Sequence, residues 1–122
     1  MSRRRRELGL LAEERWPLLT TMMICYFNED FDLLYGSLGG AVAAAVADGS
    51  TDHRRSLLRE WRDWNSSQGA VNDIRPFLDY GFHIAILFES AIEARHFMNR
   101  IYDELLVRVK AETQDHGSRA RT

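Results

Sequence analysis

The segment that begins at Ser90 places the strongest constraint on how this chain folds. Ser90-Ala91-Ile92-Glu93 has the spacing of a capping box, in which the serine and glutamate oxygens each accept a hydrogen bond from an unpaired amide at a helix start. Apolar residues then recur at helical spacing on one stripe: Ala94, Phe97, Met98, Ile101, Leu105 and Val109. The pattern predicts an amphipathic helix from residue 91 to about 111, with an apolar face that needs a packing partner.

Two segments nearer the N-terminus carry similar helix signals. Pro17 suits the first position of a helix. The apolar residues that follow it cover almost every helical face, so we expect a buried central helix there. Ser37 is the predicted N-cap of a second, alanine-rich helix over residues 38–47.

The middle of the chain predicts one further long helix and an ambiguous apolar run. Thr51 or Asp52 is the predicted N-cap of a helix that ends near residue 66, and a short helix or turn is expected over 73–80. Residues 82–88 are apolar apart from His83, which we expect to be a hydrogen-bonded core residue. Periodicity does not decide whether this run is a buried strand or an extended connector.

Length and helix pattern together predict one domain. The fold class expected for these 122 residues is mainly α, a compact single-domain bundle of four to five helices with one short extended segment near 82–88. Residues 1–14 are expected to form a flexible basic and acidic N-terminal tail, residues 15–112 the helical domain, and residues 113–122 a flexible C-terminal tail. Cys25 is the only cysteine, so no disulfide can form within the chain.

The net charge of −2 conceals an uneven distribution. Residues 7–52 contain one basic residue, Arg15, and eight acidic residues, which gives this part of the chain a net charge of −7. The acidic residues are Glu7, Glu13, Glu14, Glu29, Asp30, Asp32, Asp48 and Asp52. Such a surface repels nucleic acid and attracts basic protein surfaces.

The sequence contains no recognisable catalytic or metal-binding pattern. The four histidines lie in four different segments, and no two have the i, i+4 spacing of a helical zinc site. Neither a phosphate-binding glycine loop nor a nucleophile elbow is present. We therefore expect no enzyme activity, no cofactor and no metal. The chain also lacks an uninterrupted apolar run of 18 residues, so we expect no membrane association and a cytoplasmic location.

The most distinctive stretch runs from Tyr26 to Ser37. It orders Tyr-Phe, two aspartates around an aromatic residue, and Tyr-Gly within twelve residues. Over about residues 18–50 the chain resembles immunity proteins of bacterial contact-dependent growth inhibition systems. The residues that match the family's pattern are Tyr26, Phe27, Asp30, Phe31, Asp32, Tyr35 and Gly36. The aromatic residue between the aspartates is more often Trp in the family, so Phe31 departs from it.

The resemblance implies that the chain works by binding. A protein of this family neutralises the C-terminal toxin domain delivered by a sibling cell, and such toxins are often nucleases with basic surfaces. Glu29, Asp48 and Asp52 are the candidate toxin-binding residues, and reversing all three charges is expected to leave the fold intact. The seven motif residues are expected to act mainly as scaffold, with Asp30 and Asp32 bonding backbone amides in the turn. We expect a monomer or weak dimer.

Two other functions remain open from the sequence. The chain could be a DNA-binding antitoxin or transcriptional regulator that reads DNA with the helix containing Arg54 to Arg62, although Asp52, Glu60 and Asp63 dilute its basic face. It could also be a non-enzymatic adaptor with no toxin partner. The net charge of −7 on residues 7–52 argues against nucleic acid as a partner.

Overall fold

The computed structural model describes the backbone of residues 3–121 and the side chains of residues 3–114. This part of the chain contains seven helices and no strand, so the prediction of a mainly α fold is confirmed and the number of helices was underestimated. The helices are α1 (Arg3–Arg15), α2 (Pro17–Tyr26), α3 (Phe31–Tyr35), α4 (Leu38–Ala47), α5 (Thr51–Asn65), α6 (Arg75–Tyr80) and α7 (Ala91–Arg121).

The helices enclose one hydrophobic core. α7 packs against α4 and α5, and α2 packs against α1, α4 and α5. Aromatic side chains fill the centre. Trp64, Phe77 and Phe82 form a cluster in which each ring contacts the other two, and Trp16 contacts Phe77 edge-on with ring centroids 5.7 Å apart. The indole nitrogen of Trp61 donates to the Met98 carbonyl at 3.0 Å, which joins α5 to α7 inside the core.

The N-terminal segment differs from the predicted flexible tail. Residues 3–14 belong to α1, and Ala12 is completely buried in the core. The hydroxyl of Thr20 donates to the Ala12 carbonyl, so α1 and α2 are joined end to end. At the other end, α7 continues through Arg121 and so includes most of the predicted C-terminal tail. Residues 1, 2 and 122, and the side chains of 115–121, lie outside the described part.

Residues 83–88 form an extended connector. The Ala85 amide donates to the Phe27 carbonyl at 3.0 Å, and the Ile84 amide donates to the Leu78 carbonyl at 3.2 Å. The prediction of a core histidine was wrong, because His83 is exposed and its backbone turns at φ +57°. This conformation is uncommon for a residue other than glycine and directs the chain from α6 into the connector.

Local capping signals marked the helix starts to within a residue. Ser37 and Ser90 cap α4 and α7 as predicted, with their hydroxyls accepting from the amides of Gly40 and Glu93. In a capping box the Glu93 carboxylate would accept from the Ser90 amide. Here it accepts from the Glu89 amide, one residue earlier. The predicted cap of α5 was one residue late, since Ser50 accepts from the His53 amide. Within the described residues, no helix combines the length and the apolar character needed to cross a bilayer.

Candidate protein-binding surface

Buried aromatic side chains fix the corner between α2 and α3. Phe27, just after α2, is fully buried, and its ring meets Phe97 of α7 edge-on at 4.9 Å between centroids. Tyr26 packs against Tyr35 at the end of α3, with ring centroids 5.5 Å apart. Phe31 is partly buried against the same core. These four aromatic residues of the motif therefore hold the corner through contacts within the fold.

Asn28 closes one helix and opens the next. Its side-chain amide donates to the carbonyls of Ile24 and Cys25 at 3.3 and 3.2 Å, which satisfies two carbonyls at the end of α2. Its side-chain oxygen accepts from the Asp30 amide at 2.9 Å, just before α3. We expected aspartates to form such bonds, but the Asp30 side chain forms no cap hydrogen bond. The feature of the sequence that could have predicted this capping role is the position of an asparagine between two helices.

Two glycines allow the chain to turn from α3 into α4. Gly36 has φ +78°, and its amide donates to the Asp32 carbonyl at 2.9 Å. A helix that ends with a positive φ favours glycine, because glycine has no Cβ. Gly40, in the first turn of α4, lies so close to the Tyr35 carbonyl oxygen that an added Cβ would overlap it. α3 is consequently held tightly against the start of α4.

The outer face of this corner is acidic and apolar. Glu29, Asp30 and Asp32 are exposed, and so are Leu33 (86%) and Leu34 (60%) on the outside of α3. We call these five residues the acidic corner. The Asp30 and Asp32 carboxylates accept no hydrogen bond from any residue that the structure describes. They are therefore as available to a partner as Glu29.

Nothing basic in the neighbouring sequence balances this charge. No Lys or Arg occurs from Trp16 to His53. Arg15, the one basic residue in 7–52, donates to both carboxylate oxygens of Asp63 at 2.9 and 3.1 Å and is neutralised there. The C-terminal end of α2, which carries a partial negative charge, also points to the corner. The carboxylates of the acidic corner therefore have no basic residue on α2, α3 or α4 to balance them.

The structure assigns different roles to Asp48 and Asp52. The Tyr26 hydroxyl donates to the Asp48 carboxylate at 2.9 Å, which ties the end of α2 to the end of α4. Burial first, and this hydrogen bond second, raise the pKa of Tyr26 to about 12. Reversing Asp48 would remove this hydrogen bond, so such a variant would not test binding alone. Asp52 is exposed in the first turn of α5 and has only a long contact, 3.5 Å, with Arg55.

The arginines of α5 are engaged within the fold. Arg54 is buried, and its guanidinium donates to Glu112 of α7 and to four carbonyls at the end of α4. Arg55 donates to the Thr113 hydroxyl at 3.1 Å and Arg62 donates to the Tyr102 hydroxyl at 2.8 Å. Because Arg54 faces the interior, it is not available to a DNA groove. Its burial has no signal in the sequence, since arginine is usually exposed.

Among the described residues, no group of three or more His, Cys, Asp or Glu side chains is placed to hold a metal ion. No protein-family model, curated protein or solved structure matches the chain. The acidic corner is therefore the feature of this molecule from which a function is best argued.

Proposed function

We propose that this chain is an immunity protein that binds a basic toxin domain and neutralises it in the cytoplasm of the producing cell. The observation that carries the proposal is the acidic corner, where two exposed leucines stand beside three exposed carboxylates on a rigid support. The resemblance of residues 18–50 to contact-dependent growth inhibition immunity proteins supports the same function.

The two kinds of residue in the acidic corner have separate tasks. The carboxylates attract a basic surface over a distance and disfavour acidic partners, which raises the association rate and the specificity. Leu33 and Leu34 supply apolar area that loses its water only when a partner covers it. Anchors of this kind, when they fill a pocket at the centre of an interface, carry most of the binding energy.

The rigidity of the corner favours tight binding. Asn28, the Tyr26–Tyr35 stack and the Gly36 turn hold α3 in one conformation before any partner arrives. A preorganised surface loses little conformational entropy on association, so more of the contact energy appears as affinity. An inhibitor must leave almost no free toxin, so we expect a Kd of about 1 nM or below.

The test first looks for a toxin domain encoded directly beside this gene, as the proposal expects. Binding of that domain is then measured by titration, and protection is measured as survival of cells that express both proteins. Leu33→Ser combined with Leu34→Ser should raise the Kd about 100-fold and abolish protection, since both anchors are lost. The changed side chains are already exposed, so circular dichroism should show an unchanged fold.

A matched pair of leucines elsewhere provides the control. Leu10 (58% exposed) and Leu87 (91% exposed) are as exposed as the two anchors but lie on α1 and on the connector. Leu10→Ser combined with Leu87→Ser should leave the Kd and survival unchanged. If no toxin is encoded beside the gene, or if the parent chain does not bind it, the proposed function is wrong. Equal effects of the two double variants would remove the acidic corner from the interface.

A further inference from the structure

An open groove runs along the seam between α4 and α7, on a face whose charge differs from that of the acidic corner. It has a volume of about 490 Å³, and its floor is formed by Ala43 and Val46 of α4 and by Val107 and Ala111 of α7. Glu104, Arg108 and Glu112 also line it. A groove that runs between two helices and is lined by both apolar and charged side chains suits a helix as its occupant.

The α7 wall of the groove is a regular stripe. Residues 104, 107, 108 and 111 have the i, i+3, i+4, i+7 spacing of one helical face, and the core stripe of α7 lies on a different face. Val107 is 67% exposed at the centre of this stripe. Opposite it, the exposed Ala43 lets another backbone approach α4 closely. The molecule thus has a second helix-packing face with no occupant among the described residues.

We propose that this groove receives the α7 helix of a second copy of the chain, so that the protein forms a twofold symmetric dimer. A twofold interface requires a surface that is complementary to itself. Glu104 and Arg108 meet this requirement, because they carry opposite charges one turn apart on the same stripe.

The antiparallel pairing of two α7 helices fixes the register. An axis near residue 106 places each Glu104 opposite Arg108 of the second copy. The two Val107 side chains are then offset by two residues, about 3 Å along the helix, and contact each other over the axis. Arg100 already donates to one Glu104 oxygen at 2.8 Å, and the other oxygen can accept from the second copy's Arg108.

The charges of the groove favour a second copy over the toxin. A basic partner is attracted most strongly to the acidic corner, where every charged residue is an acid, whereas Glu104 and Arg108 of the groove carry opposite charges and match a surface of the same kind. The proposal goes beyond the proposed function and does not depend on it. A dimer formed through α4 and α7 would present two acidic corners.

The experiment measures the mass of the full chain by sedimentation equilibrium from low to high micromolar concentration. We expect the parent to form a dimer with a micromolar Kd, and Val107→Glu to remain monomeric over the whole range, since it places two carboxylates at the axis. Ile92→Glu is the matched control, because Ile92 is also 67% exposed on α7 but does not line the groove. A monomeric parent, or a dimer that Val107→Glu leaves intact, would overturn the proposal.

Charge exchange tests the antiparallel register separately. Glu104→Arg alone and Arg108→Glu alone should each weaken the dimer about tenfold. Each substitution places two like charges opposite each other, and the twofold symmetry repeats this contact at a second place. The double variant Glu104→Arg with Arg108→Glu restores opposite charges at both places, and its Kd should return toward that of the parent. Failure of the double variant to recover would refute this register. Circular dichroism of each variant checks that α7 remains helical.

Discussion

Arg54 joins three helices through one guanidinium group. One of its nitrogens donates to the last carbonyls of α4, and its other donors form a two-pronged pair with the Glu112 carboxylate of α7. Thr51, in the first turn of α5, donates to the same carboxylate at 2.8 Å. A buried guanidinium is stable only when its donors are satisfied, so Glu112 is as necessary as the arginine.

The Glu112 carboxylate gives the fold a defined acid sensitivity. The hydrogen bond from Arg54 is the main reason that the pKa of Glu112 is lowered from 4.5 to about 2, and the bond from Thr51 contributes further. A pKa lowered in the folded state means that folding favours the ionised form. The stabilisation from this group is therefore complete above pH 4.5 and is lost as the pH falls toward about 2.

Glu112→Gln should lower the free energy of unfolding at neutral pH, because it removes the charge that satisfies Arg54. The difference from the parent should shrink between pH 4.5 and about 2, where the parent's own carboxylate becomes protonated. Urea unfolding at a series of pH values measures both effects. Glu89→Gln, at an exposed position between the connector and α7, should change little at any pH. A constant difference between Glu112→Gln and the parent across this range would contradict the assignment.

At the scale of elements, α3 depends on its ends more than on its length. A helix of five residues has too few internal hydrogen bonds to be stable alone. Asn28 before it, Gly36 after it and the stack between Tyr26 and Tyr35 supply what it lacks. The position of Leu33 and Leu34 on the surface follows from these three constraints.

Asn28→Ala should destabilise the protein by about 1 kcal/mol, since it leaves carbonyls of α2 and one amide before α3 without their partner. The effect should be largest locally. Hydrogen exchange of the Leu34 and Gly36 amides, which donate to carbonyls within the α3 segment, should accelerate more than exchange in α7. Asn72→Ala, in the exposed loop before α6, is the control and should leave both rates unchanged. Uniform acceleration everywhere would argue against a local role for Asn28.

At the scale of the molecule, charge is divided between two parts of the chain. Residues 7–52 carry a net charge of −7, whereas residues 53–114 contain nine basic and nine acidic residues and are neutral. Helices α2, α3 and α4 contain no Lys or Arg, so the excess negative charge belongs to the first part of the chain. Such an asymmetry orients a basic partner during the encounter.

Glu29→Lys combined with Asp52→Lys should slow association with the toxin domain about tenfold at low ionic strength, and the difference should shrink as salt screens the charges. Asp48 is left unchanged because it holds Tyr26. Stopped-flow mixing at several salt concentrations measures the rates. Glu89→Lys combined with Asp103→Lys alters the net charge equally at other exposed positions and should slow association less. Equal slowing by both pairs would mean that only the net charge matters.

The sequence by itself located α2, α4, α5 and α7, but not α1 or α3. Pro17, Ser37 and Ser90 mark helix starts through interactions within one turn, so their effect does not depend on the rest of the fold. The apolar stripe of α7 likewise identified its buried face from spacing alone. The Tyr26 to Gly36 segment was distinctive in the sequence, and in the structure Phe27 is fully buried while Tyr26, Phe31 and Tyr35 are partly buried.

The tertiary structure decided which polar and apolar groups are exposed. Arg54 is buried because Glu112, 58 residues away, supplies a carboxylate for it. Asp48 is structural because Tyr26 reaches it across 22 residues, and α1 is ordered because its short apolar face meets α2 and α6. The exposure of Leu33 and Leu34 also depends on where α4 and the core lie. Local sequence specifies the hydrogen bonds of a turn, but burial depends on contacts between distant segments, which only the folded chain brings together.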